Sequence, residues 1–349
     1  MANSNRVTIH ELAKRSGVSV GTVSRALNGY ADVKTETRER VMRIAQELDY
    51  TPNAAARTLV TQRSHVVGVF LETGPDHPDI QHPFLHEVLV GVKNRLGQGG
   101  FDLLLFASEH PGNGFGAHSY LKRCRHHHVD GAVLMGAPLD DPELDRLARS
   151  SLPCVAVDLE LEGTGVTSVR SDSKTGAFLA VEHLKSLGHT KIAHISGPVD
   201  TTPGRERLNG FQKAIADLSL PYHDDYVVYG DFYYDSGKEA MQRLMSLKEP
   251  PTAVFAASDM MAMGAMRAIQ AAGKTVPDDV AVVGFDDMQM AAMAHPPLTT
   301  VRQQKTRLGE LAAEALLKRI EAAPGAEMET RMTLPVDLVA RESTLGERD

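Results

Sequence analysis

From Val66 onward the chain alternates short apolar runs with amphipathic stretches, and this alternation limits the possible folds more than any other feature. The runs are VVGVFL (66–71), FDLLLFA (101–107), GAVLMG (131–136), PCVAVD (153–158), KIAHIS (191–196), TAVFAA (252–257) and VAVVGF (280–285). Helical patterns lie between most of them, at about 84–97, 173–187, 206–217, 236–247 and 259–272. Strands followed by crossover helices imply parallel sheets covered on both faces. More than 280 residues exceed one such sheet, so two α/β lobes are expected, dividing near Arg170 to Asp172 in the polar break after Val169. No run approaches the roughly 18 apolar residues of a membrane span.

The first 63 residues have a different texture. Thr8-Ile-His-Glu11 is a capping box, in which Thr8 accepts from the helix backbone and Glu11 reaches back. A helix is predicted from Ile9 to Ser16, ended by Gly17. Val18 plugs the turn, and Ser19 caps a second helix from Val20 to Leu27. Two short helices across a Gly-containing turn outline a helix-turn-helix. In the second helix Val23, Ala26 and Leu27 share one face, Gly21, Ser24 and Arg25 the other, and Val20 lies on the border. A third helix, about Thr35 to Asp49, carries the stripe Val41, Ile44, Ala45 and Leu48; Lys34 is a poor cap, so capping is expected to fall to Thr35 or to be shared with the preceding loop. TPNAAARTL (51–59) favours helix but is too short to stand alone.

Charge follows the same division. The chain carries a net −8, yet residues 1–63 hold ten Lys/Arg against six Asp/Glu, leaving 27 against 39 for the remainder. A basic head on an acidic body can approach phosphates through the head alone. Two cysteines, Cys124 and Cys154, make no disulfide framework, and the opening MANSNRVTIHEL has no apolar signal core, so a reducing cytoplasm is expected. No Walker loop, GxSxG elbow or HExxH motif is present. An enzyme is not expected, and no cofactor or metal: His126-His127-His128 lacks ligand spacing. The methionines between 260 and 293 read as adaptable packing.

VTIHELAKRSGVSVGTVSRALNG, TRERVMRIAQELDYTPNAAARTL, HLKSLGHTKIAHISGP, GRERLNGF, SDMMAMGAMRAI, VAVVGFDD and PPLTTVRQ occur in this order. Together they resemble the lactose/galactose repressor family of bacterial transcription factors, over nearly the whole chain. The resemblance implies an all-α helix-turn-helix DNA-binding head (1–50), a hinge helix and linker (51–64), and an α/β core (65–349). That core would be two doubly wound parallel-sheet lobes like those of periplasmic binding proteins, joined by three crossover strands. The lobe nearer DNA would comprise about 65–170 plus 302–332, and the distal lobe about 171–301 plus 333–345.

The resemblance places Val20, Gly21 and Arg25 at base-reading positions in the major groove. Thr8, Ser19, Thr22, Ser24 and Asn28 would meet phosphates. Pro52, Asn53, Ala56 and Arg57 match the hinge helix, which forms when a dimer meets its operator, and Leu59 matches the leucine wedged into the minor groove.

In the core, Asp286 directly follows a strand, where ligands of open α/β sheets bind, and can accept from two adjacent sugar hydroxyls. Arg207 matches the family's effector-binding arginine and Phe232 an aromatic wall of the cleft. Ser258 stands where relatives often carry asparagine. Asp158, His82, Phe84 and Gln303 complete the candidates, with Asp287 expected to hold its own loop and Arg205 to be structural. The partners implied are double-stranded palindromic operator DNA, a second copy of the chain, and a small effector, with no membrane. A sugar or glycoside inducer is expected of this repressor of carbohydrate-utilisation genes. A purine-type corepressor and a transport-type sugar-binding protein are the alternatives. No leucine heptad tail follows LVARESTLG, so a dimer is expected.

Overall fold

The computed structural model describes residues 7–50, 63–72, 82–107, 119–323 and 325–345. The chain divides into two compact units, Met1–Ser64 and His65–Asp349. The proposed hinge residues Asn53, Ala56, Arg57 and Leu59 lie outside the described residues.

The first unit holds α1 (Ile9–Ser16), α2 (Val20–Leu27) and α3 (Thr35–Glu47). Thr8 caps α1 by accepting from the Glu11 N–H at 3.3 Å, and Gly17 ends it in the left-handed conformation at φ 66°. Among the described residues only this half of the capping box forms. Ser19 caps α2 through the Thr22 N–H at 3.1 Å. α3 starts at Thr35 behind Lys34, with no side-chain cap, so Thr35 is the first helical residue and not the expected cap. Leu12, Ala13, Val23, Ala26, Val41 and Ala45 form the core of the three helices.

The second unit contains two six-stranded sheets. The first lobe runs through β1 (Val66–Leu71), α4 (Pro83–Gln98), β2 (Asp102–Leu105), α5 (Tyr120–His126), β3 (Gly131–Met135), α6 (Pro142–Ala148), β4 (Cys154–Val157) and β5 (Val166–Ser171). The second follows with α7 (Ser173–Ser186), β6 (Ile192–Ser196), α8 (Thr202–Asp217), β7 (Val227–Tyr229), α9 (Tyr234–Met245), β8 (Ala253–Ala256), α10 (Asp259–Ala271), β9 (Ala281–Asp286), α11 (Gln289–Met293) and β10 (Thr299–Arg302). α12 (Lys305–Glu321) and β11 (Arg331–Leu334) return to the first lobe, and β12 (Asp337–Val339) and α13 (Glu342–Leu345) to the second. The strand orders are β11-β5-β4-β3-β1-β2 and β12-β10-β9-β8-β6-β7. All pairings are parallel except β12 against β10.

Alternate residues of each strand feed opposite cores. Val67, Val69, Val133 and Met135 pack with Val88, Val92, Leu308 and Leu316 on one face of the first sheet. Phe70, Ala132 and Leu134 pack with Tyr120, Cys124 and Leu147 on the other. In the second sheet Ile195, Val254 and Val282 meet Met241, Met261 and Ile269, while Phe255, Val283 and Phe285 meet Val181, Phe211 and Ile215.

The stretch 166–171 departs from the sequence reading. VTSVRS has the polarity of a linker, yet it is a fully buried strand. Its polar groups are satisfied inside: Thr167 donates to Glu329 O at 2.7 Å, the Ser168 hydroxyl bonds Leu159 O at 3.0 Å, and Arg170 pairs with Glu206 at 2.8 Å. The chain therefore leaves the first lobe at the end of a strand, not in an exposed break. Crossovers follow β5, β10 and β11.

Candidate functional site

Each unit carries a candidate site. In the head, burial of Val23 and Ala26 turns Gly21 and Arg25 to solvent. A Cβ added at Gly21 would meet only Ser19 Oγ, at 3.8 Å, and Gly21 has no positive φ, so the head itself has no need of a glycine there. Arg25 pairs with Asp32, and its guanidinium carbon lies 5.9 Å from the Tyr30 ring centroid. Arg38 in turn donates to Tyr30 O at 2.5 Å. Arg25 is thus held on the exposed face by the loop after α2. Ser19 and Thr22 share a 2.9 Å side-chain hydrogen bond, and Asn28 donates to Ser24 Oγ at 3.4 Å. These polar side chains line the first and last turns of α2, beside Gly21 and Arg25.

The core site is built at the carboxyl ends of strands. Asp286 closes β9 with φ 119°, is nearly inaccessible, and accepts from Gln303 Nε2 at 2.6 Å. Arg207, buried on α8, stands 3.7 Å from the Asp286 carboxylate and donates to Ala257 O at 2.5 Å. Its guanidinium lies 3.8 Å from the Phe285 ring centroid and 5.7 Å from that of Phe232. Asp158, directly after β4, accepts from the Ser171 N–H at 3.0 Å, so it braces a neighbouring strand and caps no helix.

Three buried polar atoms of this group have no hydrogen-bond partner among the described residues: Asp158 Oδ2, Arg207 Nε and Gln303 Oε1. Buried polar atoms are seldom left unpaired, and such exceptions cluster where a ligand or water completes the bonding. Two acceptors and one donor converge around Asp286, supplied by both lobes and a crossover.

Burial dominates the electrostatics. It pushes the Asp158 carboxyl up to about 6, against the Ser171 N–H and the Arg207 charge. Asp286 is also raised by burial, with Arg207, Lys305 and Gln303 opposing the shift. Arg207 is lowered by burial, and Asp286 and Asp158 support its charge. Burial would raise Asp287 too, but hydrogen bonds from Arg302 at 2.7 Å and Arg341 at 2.6 Å outweigh it and hold the carboxylate low. Asp287 therefore holds its own loop, and Arg205 reaches Glu160 at 3.3 Å on the surface.

The remaining candidates are more peripheral. His82 precedes α4 and sets its ring edge-on to Tyr233 of the second lobe, with centroids 5.2 Å apart. Phe84 is buried in the first-lobe core, with its ring 6.5 Å from His82. Ser258 has only 1% of its surface exposed and spends its proton on Phe232 O, so it offers a ligand no donor. Two contributors lay beyond the sequence reading. Lys305 donates to Asp286 O at 2.7 Å and Asp287 O at 3.0 Å, fixing the loop that presents Asp286. Asp259 accepts from the Met288 N–H at 2.7 Å and Thr300 Oγ1 at 2.5 Å beneath the same loop. An unusually buried lysine cannot be recognised from its neighbours in the chain, and Asp259 differs from an ordinary helix-start acid only through these distant partners.

Comparison with known proteins bears on both units. Residues 8–53 match the family described as bacterial regulatory proteins, lacI family, and residues 181–344 match the periplasmic binding protein-like domain. The HTH-type transcriptional regulator CelR of Thermobifida fusca is 38% identical, over 98% of this chain and 100% of that protein. A solved transcriptional regulator CelR–cellobiose complex superposes with a TM-score of 0.73 at 35% identity, covering 97% of this chain and 100% of the other. The Lac repressor dimer bound to operator and the anti-inducer ONPF gives 0.83 at 30% identity, covering 97% and 99%. With this similarity running through head and core alike, the chain belongs to the lacI family of bacterial regulatory proteins.

Proposed function

We propose that the protein is a homodimeric repressor that binds a palindromic operator and is released from it by a neutral sugar or glycoside. The observation that carries the effector reading is the convergence of Asp158 Oδ2, Arg207 Nε and Gln303 Oε1, all buried and without partners among the described residues, beside the Asp286 carboxylate. Acceptors outnumber donors in this set, which suits a ligand rich in hydroxyl donors. A neutral polyol brings no charge into a site whose carboxylates already resist ionisation. Cellobiose, bound by the CelR of the solved complex, is the first sugar to try.

Asp158 belongs to the first lobe, Arg207, Phe232 and Asp286 to the second, and Gln303 to the crossover between β10 and α12. A ligand bonded to all of them ties the lobes together. It shifts the lobe equilibrium by no more than its difference in affinity for the two states. In this proposal the shift reorients the lobes nearer DNA and loosens the paired hinges, with Leu59 as the wedge. In the head, Arg25 reads guanine, Val20 meets a thymine methyl, and Gly21 admits the backbone to the base edges.

Thermal melting with a panel of sugars and nucleobases tests the effector class. At a hundred times its dissociation constant an effector adds about 2.7 kcal/mol, equivalent to a rise of roughly 4 °C in a chain of this size. The reading requires that rise from cellobiose or a related glucoside. Stabilisation by a purine base with none by any sugar would replace it with corepression.

A further inference from the structure

We propose that Ser258 is a positioning residue for the aromatic wall of the cleft: it acts on the effector through Phe232 without touching it. The inference rests on the reading of this cleft as the effector site.

The Ser258 hydroxyl has one proton, which it donates to Phe232 O at 2.8 Å. It also accepts from the Met261 N–H at 3.1 Å as the N-cap of α10. Its donor and one lone pair are therefore committed, and the side chain is buried. Phe232 needs such an anchor, because its φ of 74° lies in the left-handed region that a bulky residue seldom enters. A backbone strained in this way persists only where its surroundings hold it.

Several contacts do so. Asp231 Oδ1 accepts from the Tyr233 N–H at 2.8 Å, and Ser236 Oγ accepts from the Asp231 N–H at 3.1 Å, gripping the turn on either side. A Cβ on Gly197 would sit 2.1 Å from a Phe232 ring carbon, so the ring lies directly on the glycine backbone after β6. From the start of α10 the Ser258 hydroxyl reaches the carbonyl of Phe232 itself. Serine is the shortest side chain that can cap α10 and still donate to that carbonyl. The hydroxyl therefore couples the start of α10 to the angle of the ring, and the ring faces the Arg207 guanidinium. Selectivity at position 258 is selectivity for ligands that stack a ring face on Phe232.

The test is a double-mutant cycle in the full-length protein, with cellobiose binding measured by calorimetry. 4-Fluorophenylalanine at position 232 provides a ligand-free reporter by fluorine NMR. Ser258→Ala weakens cellobiose by about 3- to 10-fold, the scale of one hydrogen bond, and adds no further loss in a Phe232→Ala background. Without sugar it shifts or broadens the fluorine resonance, and Ser258→Thr, which keeps the hydroxyl, restores both readouts. An equal loss with and without Phe232 would show direct ligand contact and overturn the proposal. So would a fluorine resonance indifferent to Ser258→Ala. If wild-type protein does not bind cellobiose, the choice of sugar fails, and the fluorine readout still decides whether Ser258 positions the ring.

Discussion

Replacing Gly21 with alanine separates what the head needs to fold from what it needs to read DNA. The added methyl meets only Ser19 Oγ at 3.8 Å, an ordinary contact, and the backbone is helical. Alanine in place of glycine inside a helix gains roughly 0.5–1 kcal/mol. Amides of Val23 and Ala26 should then exchange about 2- to 5-fold more slowly wherever local opening controls their exchange. The same methyl lies on the exposed face beside Arg25 and would hold α2 away from the base edges. The cost is on the scale of one lost base contact, about 1–3 kcal/mol or roughly 5- to 150-fold in operator affinity. Fluorescence anisotropy on a duplex from DNA upstream of the protein's own gene measures this, with hydrogen exchange on the same preparation. A variant more protected than wild type and equally tight on the operator would refute the reasoning, because Gly21 would then serve neither stability nor recognition.

Other expectations follow from the same geometry. Arg25→Ala should lower the ratio of operator to random-duplex affinity by about 5- to 150-fold while changing the salt dependence little, since phosphate contacts set that slope; an equal loss on both duplexes would assign Arg25 to phosphate. Asp158, raised to about 6 by burial, disfavours folding as pH rises from its ordinary 3.8 through 6, because the unfolded chain ionises first. A hydroxyl donated to Oδ2 favours the ionised form, so sugar affinity should rise by up to about 5-fold from pH 5 to 6, up to about tenfold by pH 7, and flatten above that. Arg207 and Glu206 on α8 and Asp286 on β9 are the charges acting on Asp158, and Asp158→Asn should reduce the slope. Arg319 donates to Thr167 Oγ1 at 2.6 Å, Val166 O at 2.5 Å and Thr164 O at 3.1 Å, so Arg319→Leu leaves buried acceptors unpaired at a cost of about 3 kcal/mol or more. Chemical denaturation checks this, and an unchanged midpoint would count against it.

How much was legible beforehand depended on how local each cause was. The runs at 66–71 and 280–285 announced strands because burial on both faces leaves an unbroken apolar record. Thr8, Gly17 and Ser19 marked helix ends because caps act over three residues. The strand at 166–171 leaves no apolar record because its buried Ser, Thr and Arg side chains bond to groups such as Glu329 O and Arg319, more than 150 positions away. Arg207 and Asp286 were recognisable through motifs, and the structure sets them 3.7 Å apart. The parts played by Lys305 and Asp259 arise only where β9, β10 and α12 converge. Ser258 shows a subtler limit: its place beside the cleft was readable, but the direction of its single proton was not.

If the cleft controls the head, sugar binding must alter the hold on DNA. Anisotropy of the labelled upstream duplex with the full-length protein, titrated with cellobiose and related glucosides, tests it most directly. At least one of these sugars should release the protein from DNA, an effect abolished by Asp286→Ala in protein that still binds the duplex. Retention of the duplex at every sugar concentration, with tighter binding on addition of a purine base, would contradict it.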